Sequence, residues 1–132
     1  MSNIKKLDLI IWGATGFTGQ LVSQYINKTY SSTNLKWGIA GRNKEKIFSI
    51  ANKLKINDDM VFIAESKNIE SLLKLTSKTK VICTTVGPYA KLGTNLIEAC
   101  ISSGTDYCDI TGETQWIRRI IDKYHKLAEE KN

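Results

Sequence analysis

The chain is expected to fold as an α/β domain, a doubly wound parallel sheet in strand order 3-2-1-4-5 with helices on both faces. Three observations point there: five short apolar runs rich in β-branched residues, segments of helical period between them, and a glycine-rich turn directly after the first run. Parallel neighbours need a helix-sized return path, and right-handed crossovers then restrict the order in which the strands can lie.

Taken in order, the first strand reads Lys6–Trp12. The turn Gly13 to Gly19 follows it, and a helix whose apolar face is Phe17, Leu21, Val22, Tyr25 and Ile26 comes next. A second strand, Leu35–Ala40, precedes a helix carrying Ile47, Ile50, Ala51 and Leu54. The third strand, Met60–Ala64, leads to a short helix with Ile69, Leu72 and Leu73, for which Asn68 supplies a cap. Lys80–Thr84 is the fourth strand. Its helix bears Leu92, Leu96, Ile97, Cys100 and Ile101 and stops at Gly104. The fifth strand, Asp106–Ile110, is followed by a helix with Trp116, Ile117, Ile120, Ile121, Tyr124 and Leu127. The segment Leu127 to Asn132 reads as a fraying helix terminus, and the abrupt ending suggests a fragment.

A chain of 132 residues fits one domain and buries roughly two-thirds of its unfolded surface, enough for its own core. The apolar fraction of 42% contains no run long enough to cross a bilayer, and Leu7–Trp12 is too short and too polar at Asp8 for a leader sequence. The net charge of +6 raises the question of nucleic acid. Lysines 28, 36, 44, 53, 67, 78, 91 and 123 are, however, dispersed among acidic residues, which describes a solvated surface rather than a phosphate-binding stripe. Cys83, Cys100 and Cys108 cannot all pair, and none has zinc-ligand spacing; a reducing, cytoplasmic setting and no metal are expected. Each cysteine lies in an apolar context and reads as a small buried hydrophobe, and His125 as part of a helix core.

Four segments carry chemistry. Gly13-Ala14-Thr15-Gly16-Phe17-Thr18-Gly19 joins a strand to a helix in the spacing of a dinucleotide turn. Gly13 permits the turn, Gly16 admits a pyrophosphate to the backbone amides, and Gly19 lets helix and strand approach, while Thr15 or Thr18 adds a hydroxyl donor. No Gly-Lys-Ser/Thr follows, which disfavours a nucleoside triphosphatase loop. After the second strand, no carboxylate stands between Leu35 and Lys44 to hold both ribose hydroxyls of NAD; Arg42 offers a guanidinium to a 2′-phosphate, so NADP is expected over NAD. The third segment, Thr84-Thr85-Val86-Gly87-Pro88-Tyr89, ends the fourth strand across the switch point and brings Thr85, Val86 and Gly87 toward the ribose and nicotinamide. In the fourth, Asp106 to Glu113, Asp109 and Glu113 approach the same edge, and Glu113 reads first as an acid complementing the following helix dipole. No tyrosine precedes a lysine by four positions, so a short-chain dehydrogenase is disfavoured.

With these segments, the chain resembles the N-terminal domain of the saccharopine dehydrogenase-like oxidoreductases, a group that includes trans-acting enoyl reductases. The matching stretches are Gly13–Gly19, Ala40–Arg42, Val86–Tyr89 with Gly93, Ala99-Cys100, and Gly104–Tyr107 leading into Asp109–Glu113. The resemblance implies a Rossmann-type NADP-binding domain over residues 1–132, with Gly13, Thr15, Gly16, Phe17, Thr18, Gly19, Arg42, Val86 and Gly87 as cofactor residues; the glycine turn and the end of the fourth strand add Ala14 and Thr85. It implies hydride transfer between nicotinamide and an imine or C=C bond of a small-molecule substrate held by a C-terminal domain absent here. The catalytic residues stay unassigned, and the isolated domain is expected to be inactive. Some members are linked with lipid droplets, which adds a membrane-surface association to the expectations, and uncovered surface offers a route to a homodimer. A noncatalytic NADP-binding regulator is the alternative reading.

Overall fold

A computed structural model describes residues 4–131. β1 (Leu7–Trp12) lies at the centre of a five-stranded sheet, and its Ile10 and Ile11, on opposite faces, are both fully buried. A central parallel strand is covered on both sides, which explains the unbroken apolar run Leu9–Trp12 rather than an alternating one. From β1 the chain passes through α1 (Phe17–Tyr30) to β2 (Trp37–Gly41), then through α2 (Lys44–Leu54) and a 3-10 turn to β3 (Val61–Ile63). α3 (Ile69–Thr76) returns it to β4 (Thr79–Thr84), α4 (Tyr89–Leu92) and α5 (Thr94–Ser103) lead to β5 (Asp106–Asp109), and α6 (Thr114–Lys131) follows. Every pairing is parallel and the order is β3-β2-β1-β4-β5, the expected doubly wound Rossmann-type arrangement.

Strand limits differ from the expected ones by a residue or two. β5 stops at Asp109 because its carboxylate accepts the Thr111 N–H at 3.0 Å and begins a turn. Helices α1 and α2 cover one face, where Ile11, Ile39 and Val61 meet Ile47, Ile50 and Ala51, with Val22 and Ile26 partly buried against them. Helices α3 and α5 cover the other, where Ile10, Trp12 and Ile82 meet Leu72, Leu75, Leu96 and Cys100. Burying each such Ile, Leu or Val side chain contributes about 1.5–3 kcal/mol. A third cluster, Tyr89, Ile97, Trp116 and Tyr124, fastens α6 to α5. Asn68 caps α3 by accepting the Ser71 N–H at 3.0 Å, and Gly104 ends α5 with a left-handed φ of 59°, both as expected.

Several expectations need correction. Phe17, Leu21 and Tyr25 do not face the core; they are 82%, 51% and 59% exposed. The buried residues of α1 are Gly19 and Ser23, because the helix presses its backbone against the β1 turn and only small side chains fit beneath it. The helix expected as one element from Leu92 breaks at Gly93, where the Trp116 indole occupies the space a Cβ would need, 2.8 Å from Cζ2, and its Nε1 donates to Thr94 Oγ1 at 3.0 Å. Cys100 is buried, but Cys83 is half-buried and Cys108 exposed. His125 is exposed on α6, 3.4 Å from Glu129, rather than part of a core, and Ile121 and Leu127 also face solvent. Regular helix continues through Lys131 instead of fraying from Leu127, and Asn132 lies outside the described residues.

Candidate functional site

A cleft of about 290 Å³ opens at the carboxyl ends of β1, β2 and β4, where the strand order reverses. This switch point is where open α/β sheets place ligands, because neighbouring crossovers leave in opposite directions and part the loops.

Its floor is the turn after β1. Gly13 adopts φ +90°, a conformation that strains any side chain, and a Cβ there would also lie 2.6 Å from Val86 Cγ2. The amides of Gly13 and Ala14 both donate to Ala40 O, at 3.0 and 3.2 Å, which ties the turn to β2. A Cβ on Gly19 would sit 1.9 Å from Gly13 O, so the first turn of α1 lies directly on the loop. At that helix start, Gly16 provides no side-chain cap and the first turn carries no acidic residue. By contrast, Asn43 and Asn68 cap α2 and α3. The leading amides of a helix have no intrahelical acceptor, and α1 presents its own, with the positive end of the helix dipole, to the cleft. Unpaired amides at a helix start are the chemistry that receives an anion, and Gly16 brings no side chain to that edge of the cleft.

One wall comes from β2. Arg42 directly follows its last residue, Gly41, and is exposed, with no ion-pair partner among the described residues. Its backbone is held between the strand end and Asn43, whose side chain accepts the Lys46 N–H at 3.0 Å. Lys67 lines the same cleft, as does one carboxylate, Glu65, both from the loop after β3. The opposite wall follows β4. Thr85 N–H donates to Trp12 O at 3.1 Å, and Val86 N–H donates to Thr84 Oγ1 at 3.2 Å, bringing Val86 against Gly13.

Seven of the eleven expected residues therefore line one cleft: Gly13, Thr15, Gly16, Arg42, Thr85, Val86 and Gly87. The other four do not present side chains there. Ala14 is fully buried, Gly19 is buried under the turn, Thr18 is half-buried and Phe17 points to solvent. Phe17 to Gly19 form the first turn of α1 directly after Gly16, which does line the cleft. Trp12, Gly41, Glu65, Ser66, Lys67 and Leu92, which complete the lining, were not among the expected site residues. The order 3-2-1-4-5 itself was the available signal for Glu65 to Lys67, since it puts the loop after the third strand at the same carboxyl edge.

The acidic segment after β5 is structural. Asp109 accepts the Tyr107 hydroxyl at 2.6 Å, and burial, followed by this bond, drives the Tyr107 phenol far above its ordinary value. Glu113 does not lie in the first turn of α6; its carboxylate accepts from the amides of Tyr89 and Ala90 at the start of α4. Among the described residues no cluster of His, Cys, Asp or Glu could hold a metal ion, and no helix is long and apolar enough to cross a membrane.

Comparisons with known proteins give a family and a fold. The saccharopine dehydrogenase NADP binding domain family matches residues 9–132. A trans-acting enoyl reductase of Mycobacterium ulcerans (strain Agy99) is 36% identical over 126 residues, covering 94% of this chain and 30% of the relative. The trans-acting enoyl reductase of Mycobacterium tuberculosis (strain H37Rv) is 35% identical with the same coverage, so the chain spans about a third of these relatives' length. Among solved structures, saccharopine dehydrogenase (L-Glu forming) from Saccharomyces cerevisiae superposes with a TM-score of 0.68 at 15% identity, over 86% of this chain and 24% of that one. Citrobacter sp. triphenylmethane reductase complexed with NADP(H) gives 0.68 at 20% identity, over 95% and 46%. At such identities these two matches speak for the fold alone. On sequence and fold together, the chain belongs to the saccharopine dehydrogenase NADP-binding domain family.

Proposed function

We propose that this domain holds NADP(H) across the switch point, with the pyrophosphate on the α1 amides, the 2′-phosphate on Arg42, and the nicotinamide end beside Thr85–Gly87. The observation that carries the reading is the open start of α1. A helix N-terminus without side-chain cap or acid adjoins a cleft that the Arg42 guanidinium, without an ion-pair partner among the described residues, also lines. A guanidinium fits a phosphate dianion through paired N–H donors, whereas a 2′-hydroxyl offers it no charge.

In the longer protein that this reading envisages, the bound nicotinamide supplies hydride to an imine or C=C bond, and a further domain supplies the substrate pocket. The names of the mycobacterial relatives favour the C=C branch. The domain's own residues bind and orient the cofactor, so by itself it is expected to bind without turnover. Three free cysteines suit a reducing compartment such as the cytoplasm.

Titrating wild type and Arg42→Ala with NADPH and NADH tests the proposal. Charge-assisted bonds to a phosphate are worth about 1.5–3 kcal/mol, so the variant should lose roughly 10- to 100-fold in NADPH affinity. Its NADH affinity should hardly change. Equal losses for both cofactors remove Arg42 from the 2′-phosphate role, and a folded wild type that binds neither overturns the cleft assignment.

A further inference from the structure

We infer that Glu113, remote from the cleft in sequence and outside its lining, is a positioning residue for the nicotinamide side of the site; the inference rests on the cofactor reading above. One carboxylate oxygen accepts the Tyr89 N–H at 2.6 Å and the other the Ala90 N–H at 3.1 Å. These amides open α4 immediately after Val86-Gly87-Pro88, and α4 has no cap from its own N-cap side chain. Two charge-assisted bonds from one rigid carboxylate fix both the place and the direction of that helix start.

Glu113 is itself held on two sides. Its N–H donates to Thr111 Oγ1 at 3.0 Å, Thr111 N–H donates to Asp109 Oδ1 at 3.0 Å, and Ile117 N–H donates to Glu113 O at 3.0 Å. The carboxylate thus hangs between the end of β5 and the start of α6 and reaches across to the β4 turn. That turn is pinned at its other end by Thr85 and Val86, whose amides bond to Trp12 O and Thr84 Oγ1. Releasing Glu113 leaves the strand-side anchors and the buried Tyr89 ring, whose hydroxyl donates to Thr84 O at 3.2 Å, in place, and loosens the backbone of Gly87–Ala90 that the two amide bonds held. Arg42 follows β2, on the opposite side of β1 from the β4 turn, so the adenosine half should not sense the loss. A merely structural residue would weaken both halves alike.

The test is a calorimetric titration of wild type, Glu113→Ala and Glu113→Gln with NADPH and with 2′,5′-ADP, which carries the 2′-phosphate but no nicotinamide. The emission of bound NADPH is followed in parallel. Glu113→Ala should bind NADPH about tenfold or more weakly and lose the nicotinamide fluorescence change, while 2′,5′-ADP affinity stays within about twofold. Glu113→Gln keeps one acceptor and the side-chain volume, so it should show the same split at smaller size, and it serves if the alanine variant does not fold. Variants that lose both ligands equally, or neither, overturn the inference while leaving the cofactor reading intact. Wild type that binds neither ligand overturns both.

Discussion

Gly19→Ala separates tertiary packing from helix propensity, because the two predict opposite signs. Propensity alone favours alanine inside a helix by about 0.8–1 kcal/mol. Against it, the new Cβ would lie 1.9 Å from Gly13 O, 2.6 Å from Gly13 C and 2.9 Å from Ala14 Cα, all backbone atoms. No rotamer change relieves such contacts; α1 must lift from the β1 turn by about an ångström, opening space beneath the fully buried Ser23. Overpacking of this kind costs about 1–3 kcal/mol and more where backbone has to yield. Propensity offsets part of that, for a net loss of about 2 kcal/mol. For a domain of this size such a loss lowers Tm by roughly 6–10 °C. Gly112 is the control, since a Cβ there meets nothing within 4 Å and Gly112→Ala should fall within about 0.5 kcal/mol of wild type. Urea and thermal unfolding of the two variants decide the matter. A Gly19→Ala protein as stable as wild type, or more so, refutes the close approach of α1 to the turn.

Asp8 offers an acid-side prediction. The Lys36 amide, and then the Lys80 ammonium at 2.9 Å, hold its carboxyl below the ordinary carboxylate value. A folded-state value below the unfolded one means the native state binds fewer protons, so this contribution is complete at neutral pH and disappears as pH falls through the folded-state value. Asp8→Asn should therefore flatten the fall in urea midpoint below about pH 4, and a variant with the wild-type slope removes Asp8 from the account. For the thiols, burial pushes Cys100 up to about 12 and Cys83 to about 11, whereas Cys108 is exposed. One thiol per chain should react quickly with Ellman's reagent at pH 8, and Cys108→Ser should abolish that phase; two fast thiols in native protein would contradict the burial of Cys83.

The sheet, its order and the floor of the cleft were legible because each depends on neighbours in sequence. Gly13 to Gly19 form turn and helix start within one segment, and Arg42 directly follows a strand whose position the topology dictates. What escaped depends on distant neighbours. Glu113 meets Tyr89 across 24 positions, and only the fold reveals that its carboxylate serves α4 rather than α6. The break at Gly93 was hidden because Leu92, Leu96 and Cys100 keep helical spacing across it, while the Trp116 indole that excludes a side chain there comes from a later helix.

The misjudged burials of Cys83 and Cys108 have a different cause, the handedness of the crossovers. Right-handed connections that move outward from β1 to β2 and β3 put α1 and α2 on one face; those leading to β4 and β5 put α3 and α5 on the other. On the α1 side, therefore, no helix among the described residues is dedicated to the β4–β5 half. Cys83 shares that face with Ile11, and its register partner on β5 is Cys108, beyond the covered half. Exposure of Cys108, and the half-burial of Cys83, are thus consequences of topology rather than of residue type. An apolar pattern states that a side chain gains by leaving water, but the direction of the crossovers decides whether a neighbour stands there to receive it.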